Sequence, residues 1–558
     1  MRKIRVWVIE APGKIDSLKM ALKDAGFLND RVLATYGRLY DLPEDKLGFD
    51  PNNPHLVAWK AKRPDQIRKL KKLLEDADEV LIATDPDIEG ELIASQVAHL
   101  CLENQVVDRV HLAGFTADYV EIAELNRKKL DSDRVSAAKA RRLFDRHLGF
   151  MLTKPEDRWR MSMGRIVTPV VKSLHSAPAE SHIVTKALED GWHAIVRIPT
   201  TQAVHADTIM SILDALPRPD IESRKSLPLE FERKPLTGPE ALSLCCRSLK
   251  KPLAEIIDSV QRNYEKGKLS YPRTDSRHLG EISLRWAERM AVAYSRPFDR
   301  QVAFNRSQEK LERSYEAHEA LIPLVDDVPD SSIPTSSLSS DEAVLRVIAM
   351  HSMSLGEQPE HFTRETGEPH LNDDGKRWVH VLRSWGKGLS FIRDTDAQGN
   401  HLDPLRHELP RDCDVKQANV RQWRHEIAHI VMERLIEDKL GRPSTINLHA
   451  AKVAQTYLDQ FGSTNGRAQM MLDLVAERSP ELIKPNVAVQ IEEALTKPQP
   501  GQSIGSRLQS AWTVLKQAPL GSGAQGTGKA APTPAPAILE SVSQATPTVD
   551  YEDNSPSI

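Results

Sequence analysis

The chain sets short, continuously apolar runs against amphipathic stretches. IRVWVI (4–9) is apolar but for one arginine and predicts a strand buried on both faces. EAPGK is a turn, and IDSLKMALKDAG has its apolar residues at helical spacing, predicting a helix stopped at Gly26. DEVLIA (78–83) predicts a second buried strand, followed by TDPDIEG and a helix from near Glu91. Strands alternating with helices predict a parallel α/β sheet. Further on, 134–150 predicts an Arg-rich helix, 239–268 a helical stretch capped at Gly267, and 340–355 and 425–440 two more helices. VTKALEDGWHAIVRIP (184–199) reads as strand or mixed structure, and WVHVLRSWGKGLSFI (378–392) as strand–turn–strand. From about Gly501 the chain turns to Pro, Gly, Ser, Thr and Ala, so 501–558 is expected to be a disordered tail.

At 558 residues the chain exceeds what one core supports, so several subdomains are expected. No apolar run reaches the ~18 residues of a membrane span. The N-terminus lacks the length and small-residue cleavage site of a signal peptide. The four cysteines, Cys101, Cys245, Cys246 and Cys413, make no Cys-x-x-Cys pair, which excludes a zinc ribbon and argues for a reducing, cytoplasmic setting. Net charge is only −4, yet Arg134–Lys172 holds ten Lys/Arg against three Asp/Glu. Such a run is either a solvated helix face or a polyanion-binding surface.

Acids stand at both predicted strand ends. Glu10 follows the first, and Asp85, Asp87 and Glu89 follow the second in ATDPDIEGE. In an open parallel sheet, residues just past the carboxyl ends of the strands line the functional crevice. Alternate residues of an extended segment project to one side, so these carboxylates can converge. Oxygen-only donors of this kind favour Mg²⁺ or Mn²⁺ over zinc. Asp-Pro-Asp is equally a common turn sequence.

VIEAPGK with ATDPDIEGE resembles the two signatures of a Toprim domain, shared by topoisomerases, bacterial-type primases and some nucleases. The resemblance implies proton transfer by Glu10 and Mg²⁺ held by Asp85, Asp87 and Glu89 with Glu10. Ile88 stands where that family usually has arginine. Downstream, YEKGKLSYPRTDS (264–276) resembles the active-site block of type IA DNA topoisomerases, making Tyr271 the nucleophile. A phenol attacks a phosphodiester poorly unless developing charge is stabilised. Arg273 and Lys14 can supply that stabilisation, and Glu10 can protonate the leaving 3′ oxygen.

Further blocks follow in the family's order. AAKARRLFDRHLGFMLTKP (137–155) resembles its Arg-rich strand-binding helix, which implies DNA contacts for Arg141, Arg142 and Arg146, an orienting Asp145 and a stacking Phe150. MSMGRIVTP (161–169) resembles its DNA-binding turn and offers Ser162, Arg165 and Thr168. AHEALIP (317–323) resembles a motif that brings His318 and Glu319 near the tyrosine, although the usual arginine after it is missing. LGRPST (440–445) resembles a late family motif.

On this resemblance the fold class is multidomain α/β plus α: a Toprim parallel-sheet domain within a four-domain toroidal type IA core. The expected domains are Toprim at 1–130, an Arg-rich helical domain at 131–180 returning at 425–500, an arch at 181–230 and 358–424, and the active-site tyrosine domain at 231–357. The implied activity is ATP-independent cleavage through a 5′-phosphotyrosine, strand passage and religation. It relaxes negative supercoils or unlinks DNA. The implied cofactor is Mg²⁺, with Mn²⁺ as substitute and neither zinc nor ATP. The implied partners are single-stranded or negatively supercoiled DNA, with a helicase or single-strand-binding protein as candidates and no membrane, in the cytoplasm at the nucleoid. Two alternatives stand beside it: a Toprim nuclease or primase-like enzyme that needs only the acids, and a binding homologue that no longer cuts.

Overall fold

The computed structural model describes residues 3–153, 161–215, 220–308, 319–385, 388–408, 420–440 and 445–516. The N-terminal segment forms a four-stranded parallel sheet in the order Arg31–Ala34, Arg5–Ile9, Glu79–Ile82, Val106–Arg109. Along the first strand Val6 and Val8 join one apolar cluster, with Leu70, Leu74 and Val97, while Trp7 and Ile9 join another, with Leu18 and Leu22. Period-2 alternation thus feeds two cores, which is why the strand reads as uniformly apolar. The helix after the acidic stretch begins at Ile88, three residues before the expected start.

A seven-stranded antiparallel sheet lies between 180 and 424. Its order is Asp220–Phe231, Glu360–His370, Gly388–Asp396, His193–Pro199, Glu180–Ala187, Val420–Arg424, with His401–Leu402 added to Gly388–Asp396. The first two strands form a long ribbon whose last pairing is Phe231 with Glu360. Helices Ala206–Ala215 and Asp373–Trp385 cover one face. The expected strand–turn–strand over 378–392 is therefore corrected to helix, then strand Gly388–Asp396. Val379 and Leu382 are buried at helical spacing beneath exposed Arg377, Trp378 and His380, and the short WVHVL alternation imitates a strand.

Between the ribbon's two strands the chain builds a helical module, with Gly238–Leu249, Leu253–Glu265, Glu281–Ala293 and Ser340–Met353. The predicted 239–268 helix is broken at left-handed Lys250 (φ 52°) and Pro252, and its second half ends as expected before Gly267 (φ 70°). Helices Ser132–Leu152, Val167–Ser176, Ile427–Glu437, Gly466–Arg478, Pro485–Thr496 and Ile504–Val514 share a large apolar core with this module. The last of these corrects the expected tail. Ser503 caps a helix whose Leu508, Ala511 and Trp512 are buried, with the Trp512 ring 4.6 Å from Phe144 and 4.8 Å from His147. Apolar residues at helical spacing outweigh the polar composition around them; 517–558 lie outside the described residues.

Candidate active site

Both strand ends deliver their acids to one place. Asp85 and Asp87 are buried, and Asp87 caps the Ile88–Ala98 helix by accepting the Gly90 N–H at 2.7 Å. Gly90 packs so tightly on the acidic turn that a Cβ there would overlap the Asp85 carbonyl oxygen. Thr84 Oγ1 donates to the Gly90 carbonyl at 2.7 Å. Beneath the turn lies Arg109, 1% exposed. It donates to the carbonyls of Ile82, Thr84, Asp85 and Val110 at 2.7–2.9 Å, and to Glu91 at 2.9 Å. One buried cation thus satisfies the carbonyls left over where the strands stop.

The tyrosine block closes directly onto these acids. Tyr271 is 2% exposed; its hydroxyl donates to Asp87 Oδ2 at 2.7 Å and its backbone N–H to the Ala113 carbonyl at 2.9 Å. Its ring belongs to the apolar cluster beneath the parallel sheet and meets Tyr264 edge-on at 5.5 Å. Arg273 binds Asp85, places Nε 3.8 Å from Asp87, and sets its guanidinium 5.3 Å from the Tyr271 ring centre. Buried Lys14 also binds Asp85, its ammonium 4.5 Å from the Tyr264 ring centre. Tyr119 OH donates to Glu319 at 2.8 Å, a second tie between the parallel-sheet segment and the tyrosine module.

Charge is unevenly balanced here. Burial, then the nearby Asp85, pushes the Glu10 carboxyl up to about 8, against the pull of Arg273 and Lys14. Burial also pushes Asp87 upward, but Arg273, the Tyr271 hydroxyl and the Gly90 N–H prevail and hold it at about 2. Burial raises the Tyr271 phenol well above its usual range, Arg273 opposing and Asp87 adding to the rise.

The four expected metal ligands do not stand together. Glu89 turns to Arg38, 2.8 Å away, while Asp85 takes two cationic side chains. Among the described residues no group of three or more His, Cys, Asp or Glu is arranged to hold a metal ion. The oxygen-only donor chemistry of Glu10, Asp85 and Asp87 still fits a hard cation.

The expected DNA-contacting residues are held by protein partners. Arg141 meets Glu492 at 3.3 Å, Arg142 meets Asp41 at 2.8 Å, and Arg146 donates to the Pro43 carbonyl at 2.8 Å, its guanidinium 5.8 Å from the Phe150 ring centre. Buried Arg165 joins Asp145 at 2.7 Å and Glu492 at 2.5 Å, and the Gly164 N–H donates to Thr168 Oγ1 at 3.3 Å. Ser162 is exposed, its carbonyl accepting from Tyr457 OH at 2.8 Å. His318 and Gly441–Ser444 of LGRPST lie outside the described residues. Sequence reasoning missed Arg38, Glu91, Arg109 and Glu492. Arg38 and Asp41 sit in GRLYDLP with no motif to flag them, and Arg109 and Glu492 take their roles only from distant contacts.

Residues 5–117 match the Toprim domain model, and 129–503 match the DNA topoisomerase model. The plasmid DNA topoisomerase I of Xylella fastidiosa is 23% identical, over 90% of this chain and 81% of that protein. DNA topoisomerase 1 of Aquifex aeolicus is 24% identical, over 89% of this chain and 96% of that protein. Full-length topoisomerase I from Thermotoga maritima superposes with a TM-score of 0.60 at 18% identity, covering 92% of this chain and 89% of that one, and shares the fold. A parallel sheet offering paired acids to a buried tyrosine, together with these matches, defines an isomerase of DNA topology. The chain belongs to the DNA topoisomerase family, in its type IA branch. No helix among the described residues is long and apolar enough to cross a membrane.

Proposed function

We propose that Tyr271 is the nucleophile of a single-strand cleavage and religation cycle and that Arg273, Lys14 and Glu10 serve it. The observation that carries this reading is the Tyr271–Asp87 hydrogen bond, which sets the phenol against the acids with Arg273 between them. The phenol oxygen attacks phosphorus, the bond to the 3′ oxygen breaks, and the product is a 5′-phosphotyrosine. The phenol proton leaves along its hydrogen bond to Asp87. Arg273 and Lys14, already within a few ångströms, steady the charge on the non-bridging oxygens. Glu10, protonated at neutral pH by its raised pKa, gives its proton to the departing 3′ oxygen and recovers it on religation. Mg²⁺, when held by Asp85 and Asp87 beside Glu10, would add positive charge beside the strand's phosphate.

Single-stranded or negatively supercoiled DNA is the proposed substrate, led in by the 131–180 segment with Arg141, Arg142, Arg146, Phe150, Ser162, Arg165 and Thr168. Those arginines would exchange protein carboxylates and carbonyls for phosphates. His318 is proposed to assist beside Tyr271. The domain plan proposed is 1–130, 131–180 with 425–500, 181–230 with 358–424, and 231–357. A helicase or single-strand-binding protein in the cytoplasm would generate the underwound substrate. The test is cleavage of end-labelled single-stranded DNA with Mg²⁺ and a denaturing stop. Wild type should leave protein on the 5′ side of the break, and Tyr271→Phe should leave none. Strand breaks without any adduct would transfer the reading to a Toprim nuclease.

A further inference from the structure

A cavity of about 730 Å³ opens at the foot of the long ribbon, away from the tyrosine and the acids, none of which line it. Its walls come from the ribbon foot (Phe231) with the neighbouring Arg406 and His407, from helices Gly238–Leu249 and Ser340–Met353, and from helix Ile427–Glu437. Seven Lys/Arg and four Glu line it, so the wall is cationic.

Most of these cations already have work. Arg233 and Arg296 share Glu357 at 3.2 and 2.7 Å. Arg406 holds Glu360 at 2.6 Å and Asp394 at 2.9 Å, and Arg346 caps the Asp330 carbonyl at 3.0 Å. Arg247 is different. It donates Nη1 to the Glu408 carbonyl at 3.1 Å, while its buried Nε has no hydrogen-bond partner. Arg247 lines the cavity, and an anion there would meet a charged, forked donor. One turn earlier on the same helix, Ser243 faces the same space, its Oγ 2.9 Å from His429 Nδ1. Phe231 and His407 lie stacked, 3.6 Å between ring centres and 9° between planes, and give the wall a flat aromatic edge.

Three basic groups of the wall shift toward losing a proton. Burial lowers Arg247, with Glu433 and Glu408 offsetting it only in part. Burial takes His351 down to about 4, Arg233 and Arg247 adding to the effect against the Lys234 carbonyl. Burial lowers His407, with Glu360 opposing and Arg406 and Arg233 reinforcing. The excess of lining cations over carboxylates, rather than these shifts, favours an anion.

We infer that this cavity is a second anion site that takes a nucleotide phosphate, with the phosphoryl group on Arg247 and the Ser243 hydroxyl and the ring against the Phe231–His407 pair. The volume suits one nucleotide. A free nucleotide and the phosphorylated end of a DNA strand share this chemistry. Either would fasten the ribbon foot to helices Gly238–Leu249 and Ile427–Glu437.

The test is calorimetric titration of the full chain carrying Tyr271→Phe with dAMP, inorganic phosphate, deoxyadenosine, and one oligodeoxynucleotide with and without a 5′ phosphate. dAMP should bind at least about tenfold more tightly than either phosphate or deoxyadenosine, a difference of about 1.4 kcal/mol. Arg247→Gln should weaken dAMP by about tenfold or more with the melting temperature retained, Arg247→Lys should restore part of it, and Ser243→Ala should lose less. A 5′-phosphate-dependent, Arg247-dependent gain for the oligodeoxynucleotide assigns the site to strand ends, and its absence beside dAMP binding assigns it to free nucleotides. Absence of dAMP binding at millimolar concentration overturns the proposal. So does dAMP binding that survives Arg247→Gln, or that is lost in Arg273→Gln instead.

Discussion

Tyr271 and Asp87, 184 residues apart, are joined by a 2.7 Å hydrogen bond from phenol to carboxylate, buried beneath the parallel sheet. The resting protein thus keeps its candidate nucleophile on one of its own acids. Asp87→Asn removes the charged acceptor and leaves Arg273 with one carboxylate fewer. A hydrogen bond to a charged group contributes about 1.5–3 kcal/mol. The variant should melt lower and exchange the Tyr271 amide, bonded to Ala113, faster than wild type. Unchanged exchange at that amide would mean the bond does not hold the interface shut.

The acidic turn depends on Gly90 having no side chain. Gly90→Ala forces the turn away from the helix, because the added methyl meets the Asp85 carbonyl. Covalent adduct on single-stranded DNA should fall by at least about a hundredfold, in line with displacing a catalytic group by an ångström. Gly149→Ala, where a Cβ meets nothing within 4 Å, serves as the control and should leave cleavage intact.

Arg109 and Glu91 are each 1% exposed and paired at 2.9 Å. Arg109→Leu takes from Glu91 its buried arginine, leaving it the Asp131 N–H, strands several carbonyls, and should cost about 3–5 kcal/mol in denaturant unfolding. Adding Glu91→Leu should recover part of that loss, since no buried charge is then left alone. A double variant no more stable than the single one would show that the carbonyls, not the ion pair, carry the cost.

His147, 2% exposed between Phe49 and Trp512, has its imidazole pushed down to about 4 by burial. Its folded-state pKa lies below the usual 6.5, so between those values the unfolded chain binds more protons. Stability from this group is complete above pH ~6.5 and is lost as pH falls toward ~4, amounting to about 3 kcal/mol. His147→Leu should flatten that part of the stability curve, measured by melting at pH 7, 5.5 and 4. An unchanged acid limb would place the acid sensitivity on other buried histidines.

The meeting of the acids with the tyrosine block was legible through the family-like motifs, because each motif is a short continuous stretch. Buried strands stop at Glu10 and Asp85, and the tyrosine block lies in one continuous stretch. What spacing could not encode was competition for those groups. Asp85 takes Lys14 and Arg273, Glu89 turns to Arg38, and Arg165 finds Asp145 and Glu492, all through contacts tens to hundreds of residues apart. Composition misled at the tail, where three apolar side chains at helical spacing suffice to dock Ile504–Val514. Short alternation misled at 378–385, where five residues fit both periods and only packing on the sheet chooses between them.

The ribbon closed by the Phe231–Glu360 pairing has a mechanical meaning. The chain enters the tyrosine module from one strand and leaves it into the strand beside it, so both covalent tethers cross a single line. A paddle hung this way bends about that line, and neither tether needs to slide past the other. A swing of the module about that line would part Tyr271 from Asp87 and bring the two back in the same register.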